Sequence, residues 1–193
     1  MRLAILDRGH SLGTKLLFAV IGAMTRQPVP ELIKLLRYRP DFFGDPMKVV
    51  THEAMRGPSA WSVADRELMA AVVSRVNACE FCIGAHTATS TRAYGDAGKV
   101  AAVLADPANA PVEQPLRATL AMLAKLTREQ AVDAGDMRAV LAAGASPRQV
   151  EDALAVAFAF NVINRLADSF AFAVPGPKAL DSAAKFLLAR GYR

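Results

Sequence analysis

Residues 62–95 read SVADRELMAAVVSRVNACEFCIGAHTATSTRAYG, two helical patterns in succession. Ser62 followed three residues later by Asp65 has the form of a capping box with Asp in place of Glu, so a helix is expected over residues 63–77 with Leu68, Val72 and Val76 as its apolar stripe. A second helix is expected over 79–94, ended by Gly95. Two helices in direct succession set an all-α pattern, and the flanks continue it. Helices are expected from Asp96 to the Asp106-Pro107 break, then over 113–126, 133–143 and 147–172, the last opened by Ser146-Pro147-Arg148-Gln149. Pro175-Gly176-Pro177 interrupts the chain before a final helix over 178–190.

The composition supports packed helices. Of 193 residues, 38 are alanine and 53% are apolar, which excludes disorder, and glycine shows no collagen period. No run approaches the 18 or so apolar residues of a membrane span. The first sixty residues are short helical stretches (12–25, 31–39, 47–55) broken by proline and closed by Gly57-Pro58. They read as an N-terminal helical arm over 1–60, ahead of a helical domain over 61–193.

The formal charge of +5 is concentrated in that arm: Arg2, Arg8, Lys15, Arg26, Lys34, Arg37 and Arg39 face only Asp7 and Glu31 in residues 1–40. The remainder carries 16 basic and 16 acidic residues with no basic stripe interleaved with aromatics, so nucleic acid is not an expected partner. The apolar run from Leu16 to Met24 has a poor cleavage site and acidic Asp7 ahead of it, so it is not read as a signal peptide, and a cytoplasmic location is expected. A partner subunit or the protein's own core is the expected cover for the arm, ahead of a membrane surface.

Sliding the chain by 84 residues sets Ser62 on Ser146, Glu67 on Glu151, Ala71 on Ala155, Val72 on Val156 and Asn77 on Asn161, a faint internal repeat.

Cys79 and Cys82 are the two cysteines. With His86 they fall at i, i+3 and i+7, one stripe of a helix with the cysteines in its first turn, where free amides and the helix dipole favour a thiolate and a histidine one turn on can take the thiol proton. Glu67 lies twelve residues before Cys79, about 18 Å along an unbroken helix, so spacing alone does not join it to the group. Three readings of the pair stand open: buried small hydrophobes, a zinc site of Cys79, Cys82, His86 and Glu67, and a redox dithiol.

The pattern Glu67, Cys79-Glu80-Phe81-Cys82, His86 resembles the active-site signature of the alkylhydroperoxidase AhpD-like proteins within the carboxymuconolactone decarboxylase superfamily. The resemblance is firm over 62–95 and looser to about 175. It implies an AhpD-like helical bundle with two similar helical halves, assembling as a trimer or hexamer, and a thiol-dependent peroxidase or disulfide oxidoreductase cycle acting on a small hydroperoxide or disulfide with a thiol or lipoamide-type reductant and no cofactor or metal. By the same resemblance Cys82 is the peroxidatic thiolate, Cys79 resolves it, His86 activates the thiol and Glu67 orients His86. Phe81 stands where well-known members carry a further histidine, and members that decarboxylate lactones lack the cysteine pair. A zinc-stabilised or redox-sensing interaction protein is the alternative reading.

Asn161, Asn164, Arg165 and Asp168 share one face of an otherwise apolar helix, as a structural network, a subunit contact or the far wall of the site. His10 and His52 are expected to be surface or packing residues. Phe81, Phe158 and Phe160 hint at an apolar substrate but have the spacing of core residues.

Overall fold

The computed structural model describes residues 3–192; Arg2, counted with the basic arm, lies outside them. Among the described residues the chain forms eleven α-helices and no strand: α1 (Ile5–Arg8), α2 (Leu12–Thr25), α3 (Glu31–Tyr38), α4 (Asp45–Arg56), α5 (Val63–Val76), α6 (Glu80–Tyr94), α7 (Ala97–Ala105), α8 (Gln114–Glu129), α9 (Ala134–Ala142), α10 (Pro147–Ser169) and α11 (Pro177–Arg190). A π-helical turn, Pro40–Gly44, joins α3 to α4, and a 3₁₀ turn, Pro107–Asn109, follows α7. The all-α expectation holds.

Local chemistry explains most of the boundaries. Ser62 and Asp65 close a full capping box on α5, as Ser146 and Gln149 do on α10 and Asp133 and Asp136 on α9. The end of α10 falls at Ser169, three residues short of the expected boundary. There Ala171 turns left-handed (φ +51°), and the Phe172 amide reaches back to the Ala167 carbonyl at 2.9 Å. This is a Schellman stop with alanine in the position usually given to glycine, so the sequence carries no marker for it.

The same device joins α5 to α6. Ala78 is left-handed at φ +55°, its amide bonds the Arg75 carbonyl at 3.1 Å, and the Cys79 amide bonds the Ser74 carbonyl at 3.0 Å. Cys79 is thus the last residue tied to α5 and also the N-cap of α6. The two helices run back against one another as the tightest pair in the molecule. α10 crosses α5, with α8 on the same side and α4 against α10, while α11 covers α6. The core between them holds Met55, Leu68, Met69, Val72, Val73, Val100, Leu120, Leu123 and Phe160, all at most 1% exposed. Trp61 pins the start of α10, its indole N–H donating to the Gln149 carbonyl at 2.8 Å.

α5 and α10, the helices related by the 84-residue shift, lie against each other, and the equivalent Asn77 and Asn161 are joined by a 3.0 Å amide hydrogen bond.

The first sixty residues divide in two. α3 and α4 reach the core through Leu36, Met47, Ala54 and Met55, and Arg66 of α5 donates to the Gly57 and Ala54 carbonyls at 2.8 and 3.4 Å, fixing the end of α4. α2 buries no residue and presents Leu12, Leu16, Val20 and Met24, so the protein's own core does not cover it. His10 is the packing residue expected, 8% exposed and edge-on to Phe18 and Tyr38. No helix among the described residues is long and apolar enough to cross a membrane.

Left-handed backbone costs an alanine roughly 1 kcal/mol that glycine avoids, partly offset by the greater freedom of glycine in the unfolded chain. Ala78→Gly should therefore be neutral to stabilising by up to about 1 kcal/mol in urea denaturation, whereas branched Ala78→Val should cost about 1 kcal/mol or more.

Candidate active site

Cys79 and Cys82, both free thiols, open α6 and are 0% and 1% exposed. The Cys82 thiol donates to the Cys79 sulfur, and that bond pulls the Cys79 thiol below its usual value; burial and the Asp168 carboxylate oppose it, and the Cys82 amide adds to the lowering. Cys82 is pushed strongly upward by giving that hydrogen bond and by burial. Of the two sulfurs Cys79 is therefore the one whose ionisation its surroundings favour, whereas the resemblance places the attacking thiolate on Cys82. One proton passing along the shared S–H···S bond converts either state into the other.

The second wall of this dithiol is the polar face of α10. Asn77 donates to Asn161 and Asn164 at 3.0 and 2.9 Å, and Asn164 donates to the Ser74 hydroxyl at 3.0 Å. Asn164 also hydrogen-bonds Cys82, and Asp168 accepts from Cys79. Of the readings left open for this cluster, two hold together: it is a structural network, and it lines the thiols. Arg165 is exposed.

Glu67 is the centre of the site's electrostatics. It is 0% exposed and receives three donors: Arg56 Nη2 on Oε1 at 2.6 Å, the Tyr192 hydroxyl on Oε1 at 2.9 Å, and His86 Nδ1 at Oε2 at 2.7 Å. The spacing argument left its contact with His86 unestablished, and the geometry supplies it. Glu67 lies about three turns above the hairpin on α5 and His86 about two turns down α6, so the antiparallel pair sets them face to face. Burial drives the Glu67 carboxyl upward, but the hydrogen bonds and charges of His86 and Arg56 outweigh it and hold the group below its ordinary value. With Nδ1 held by Glu67, Nε2 is the nitrogen left for proton exchange. Phe160 meets the ring edge-on at 4.3 Å, which limits its orientations.

Three contributors were not identified from the sequence. Arg56, from α4, donates to Glu67, to the Met55 carbonyl at 2.8 Å and to the Leu187 carbonyl of α11 at 3.0 Å. Tyr192 stacks on His86 (centroids 6.5 Å apart, 17° between planes) beneath the Arg56 guanidinium at 5.1 Å. Burial, then the Glu67 charge, hold its phenol protonated and so a donor. His52, expected only on the surface or in packing, accepts the Tyr192 amide at Nδ1, 3.3 Å. No spacing rule links positions 56, 67 and 192.

Phe81, in place of the further histidine, packs edge-on against Phe172 at 5.4 Å. Phe158 is 62% exposed and lines an open groove of about 580 Å³ between α8 and α10 with Leu126, Leu154 and Val162; neither thiol nor His86 borders it. Among the described residues no group of three or more His, Cys, Asp or Glu is arranged to hold a metal ion.

A helical bundle with this hairpin and crossing helix is the AhpD-like fold. The chain is similar in structure to an uncharacterized peroxidase-related protein from Silicibacter sp. TM1040, with a TM-score of 0.77 and 24% identity over 91% of this chain and 92% of that one. It is also similar to an uncharacterized peroxidase-related protein with an alkylhydroperoxidase AhpD core from Ralstonia eutropha JMP134, with a TM-score of 0.75 and 18% identity over 95% and 96% of the two chains. Residues 40–111, which include α4, α5 and α6, match the model of the carboxymuconolactone decarboxylase family, and with the fold this bears out the resemblance to the AhpD-like proteins of that superfamily. No functionally curated protein matches the chain.

Because ionised Glu67 is held below its ordinary value of 4.5, its contribution to stability is present above that pH and lost as the pH falls further. Glu67→Gln should cost about 3 kcal/mol at neutral pH, since it leaves Arg56 buried without its counter-charge. It should also flatten the acid-unfolding transition below pH 4.5, read by circular dichroism.

Proposed function

We propose that this protein is a dithiol oxidoreductase that reduces a hydroperoxide, the Cys79–Cys82 pair being oxidised to a disulfide. The observation that carries the reading is the hydrogen-bonded thiol pair at the head of α6, one turn before a histidine whose Nδ1 is held by buried Glu67. Fold similarity to peroxidase-related proteins supports it.

In this reading Cys82 loses its proton, to Cys79 or to His86, and its sulfur attacks the distal peroxide oxygen. The O–O bond breaks, the alkoxide takes a proton to leave as an alcohol, and Cys82 becomes a sulfenic acid. The Cys79 sulfur then attacks that sulfur, the S–S bond forms, and hydroxide leaves as water with a proton from the relay. The sum is dithiol plus hydroperoxide giving disulfide, alcohol and water. Two electrons return from an external thiol or a lipoamide-type dithiol by thiol–disulfide exchange, and a small disulfide substrate enters by the same exchange. Placing the more acidic sulfur at the exit of α5 and the less acidic one beside His86 gives each a role: Cys79 stores the anion, and Cys82 acquires it when the proton moves.

Intact mass and thiol count before and after one equivalent of hydroperoxide should show two thiols falling to none with the loss of two hydrogens. Cys82→Ser should abolish turnover, and Cys79→Ser should leave a sulfenic acid on Cys82 that dimedone traps. Dimedone labelling on Cys79 in Cys82→Ser would exchange the two roles. Thiols untouched by peroxide, or masked by stoichiometric zinc, would overturn the reading.

The same reading includes assembly into a trimer or hexamer, supported by the uncovered apolar residues of α2. Sedimentation of the full chain should give three or six copies, and a monomer would refute it.

A further inference from the structure

Neither sulfur is open to solvent: Cys79 and Cys82 are at most 1% exposed, Glu67 is 0% exposed and His86 4%. A thiol that meets an oxidant needs an opening, so some element over the site must yield.

Tyr192 has the position and the attachment of such an element. Its phenol oxygen lies at the buried end, 2.9 Å from Glu67 Oε1, and its ring lies flat along His86, yet the residue as a whole is only half-buried and reaches the surface. It sits near enough to Cys82 for charge on that sulfur to act on the phenol. Beyond Glu67 and His86, its amide meets His52 Nδ1 at 3.3 Å, its ring lies under Arg56, and it packs at the edge of the core. α11, which carries it, buries only Ala184 among its 14 residues and rests on α6 where Gly84 lets Leu180 approach. Segments with so little buried apolar surface open at low free energy.

The turn itself depends on Gly191. Its φ is +67°, and a Cβ there would fall 2.8 Å from the His52 ring and 3.2 Å from Arg56 Cγ, so a larger residue strains this backbone and pushes on the two side chains that flank Tyr192.

We propose that the Gly191-Tyr192 turn is a removable cover of the thiol site, with the Tyr192 ring as its seal and the Tyr192 hydroxyl as its latch on Glu67. The proposal rests on the dithiol reading for its purpose, though not for its test. Rotation at Gly191, with release of the last turn of α11, uncovers His86 and the Cys82 side of the pair. Glu67 keeps Arg56 and His86 as partners throughout, so opening leaves no buried charge unpaired; it costs the hydroxyl and amide hydrogen bonds of Tyr192, its stack on His86, its contact with Arg56 and the Gly191 amide bond to the Leu187 carbonyl.

The test is the rate of thiol alkylation by N-ethylmaleimide on the full chain, well below the melting temperature, with circular dichroism confirming the fold of each variant. Tyr192→Ala removes seal and latch and should label about 50-fold faster than wild type, and Gly191→Ala, which keeps the tyrosine but forbids its turn, should approach the same rate. Tyr192→Phe keeps the seal and loses only the latch, so it should label about 5-fold faster. Wild-type labelling rates in folded Tyr192→Ala and Gly191→Ala would overturn the cover, and Tyr192→Phe labelling as fast as Tyr192→Ala would overturn the ring as its seal. Alkylation requires no peroxide chemistry, so inert thiols towards hydroperoxide together with this order of labelling rates would remove the proposed reaction and leave the cover standing.

Discussion

A carboxylate with no access to water is the constraint on which the rest of this structure depends. Desolvation alone would leave Glu67 protonated or unfold the helix that carries it; three donors from three separate parts of the chain keep it ionised. Arg56 brings α4, His86 brings α6, and Tyr192 brings the turn after α11. Satisfying one buried charge therefore docks three elements onto α5. The guanidinium spreads this further, since the same Arg56 also holds the Leu187 carbonyl of α11. A site built this way has its histidine tautomer and ring orientation set in advance, which is what proton exchange with a nearby sulfur requires.

The thiols are organised by a second economy of positions. Cys79 closes the Schellman stop of α5 and caps α6, so its backbone is determined twice, and Cys82 follows one turn later. The sulfur pair then meets α10, whose Asn164 and Asp168 reach the two thiols while Asn161 and Asn164 bind Asn77 at the hairpin. A single amide cluster thereby holds the α5–α6 hairpin and forms the wall of the dithiol. This explains why a polar stripe sits on a helix otherwise made of alanine, valine and phenylalanine: buried amides are tolerated because each is paired.

Much of this was legible in the residues. Capping boxes at Ser62 and Ser146 are local, short-range chemistry, and they mark helix starts because the bonds that stabilise them lie within three residues; the box at Asp133 was seen only in the structure. The CxxC pair and His86 share a stripe for the same reason. The end of α10 was less legible, because alanine, instead of glycine, takes the left-handed position at Ala171 and carries no marker of the stop. The π-helical turn after Arg39 likewise carries no sequence marker.

An all-helical chain, the helix that presents Cys79, Cys82 and His86 on one face, and the polar face of α10 could all be read from the residues, since each follows from periodicity and from groups a few residues apart. Tertiary packing alone settles that Glu67 reaches His86, that Arg56 and Tyr192 join it, and which sulfur of the pair its surroundings make the more acidic. Those are contacts across 11, 19 and 125 residues and across the crossing of α10 on the hairpin. Periodicity states which face a side chain shares, but which faces meet depends on the angle and register at which whole helices pack, and that is set by the core as a unit.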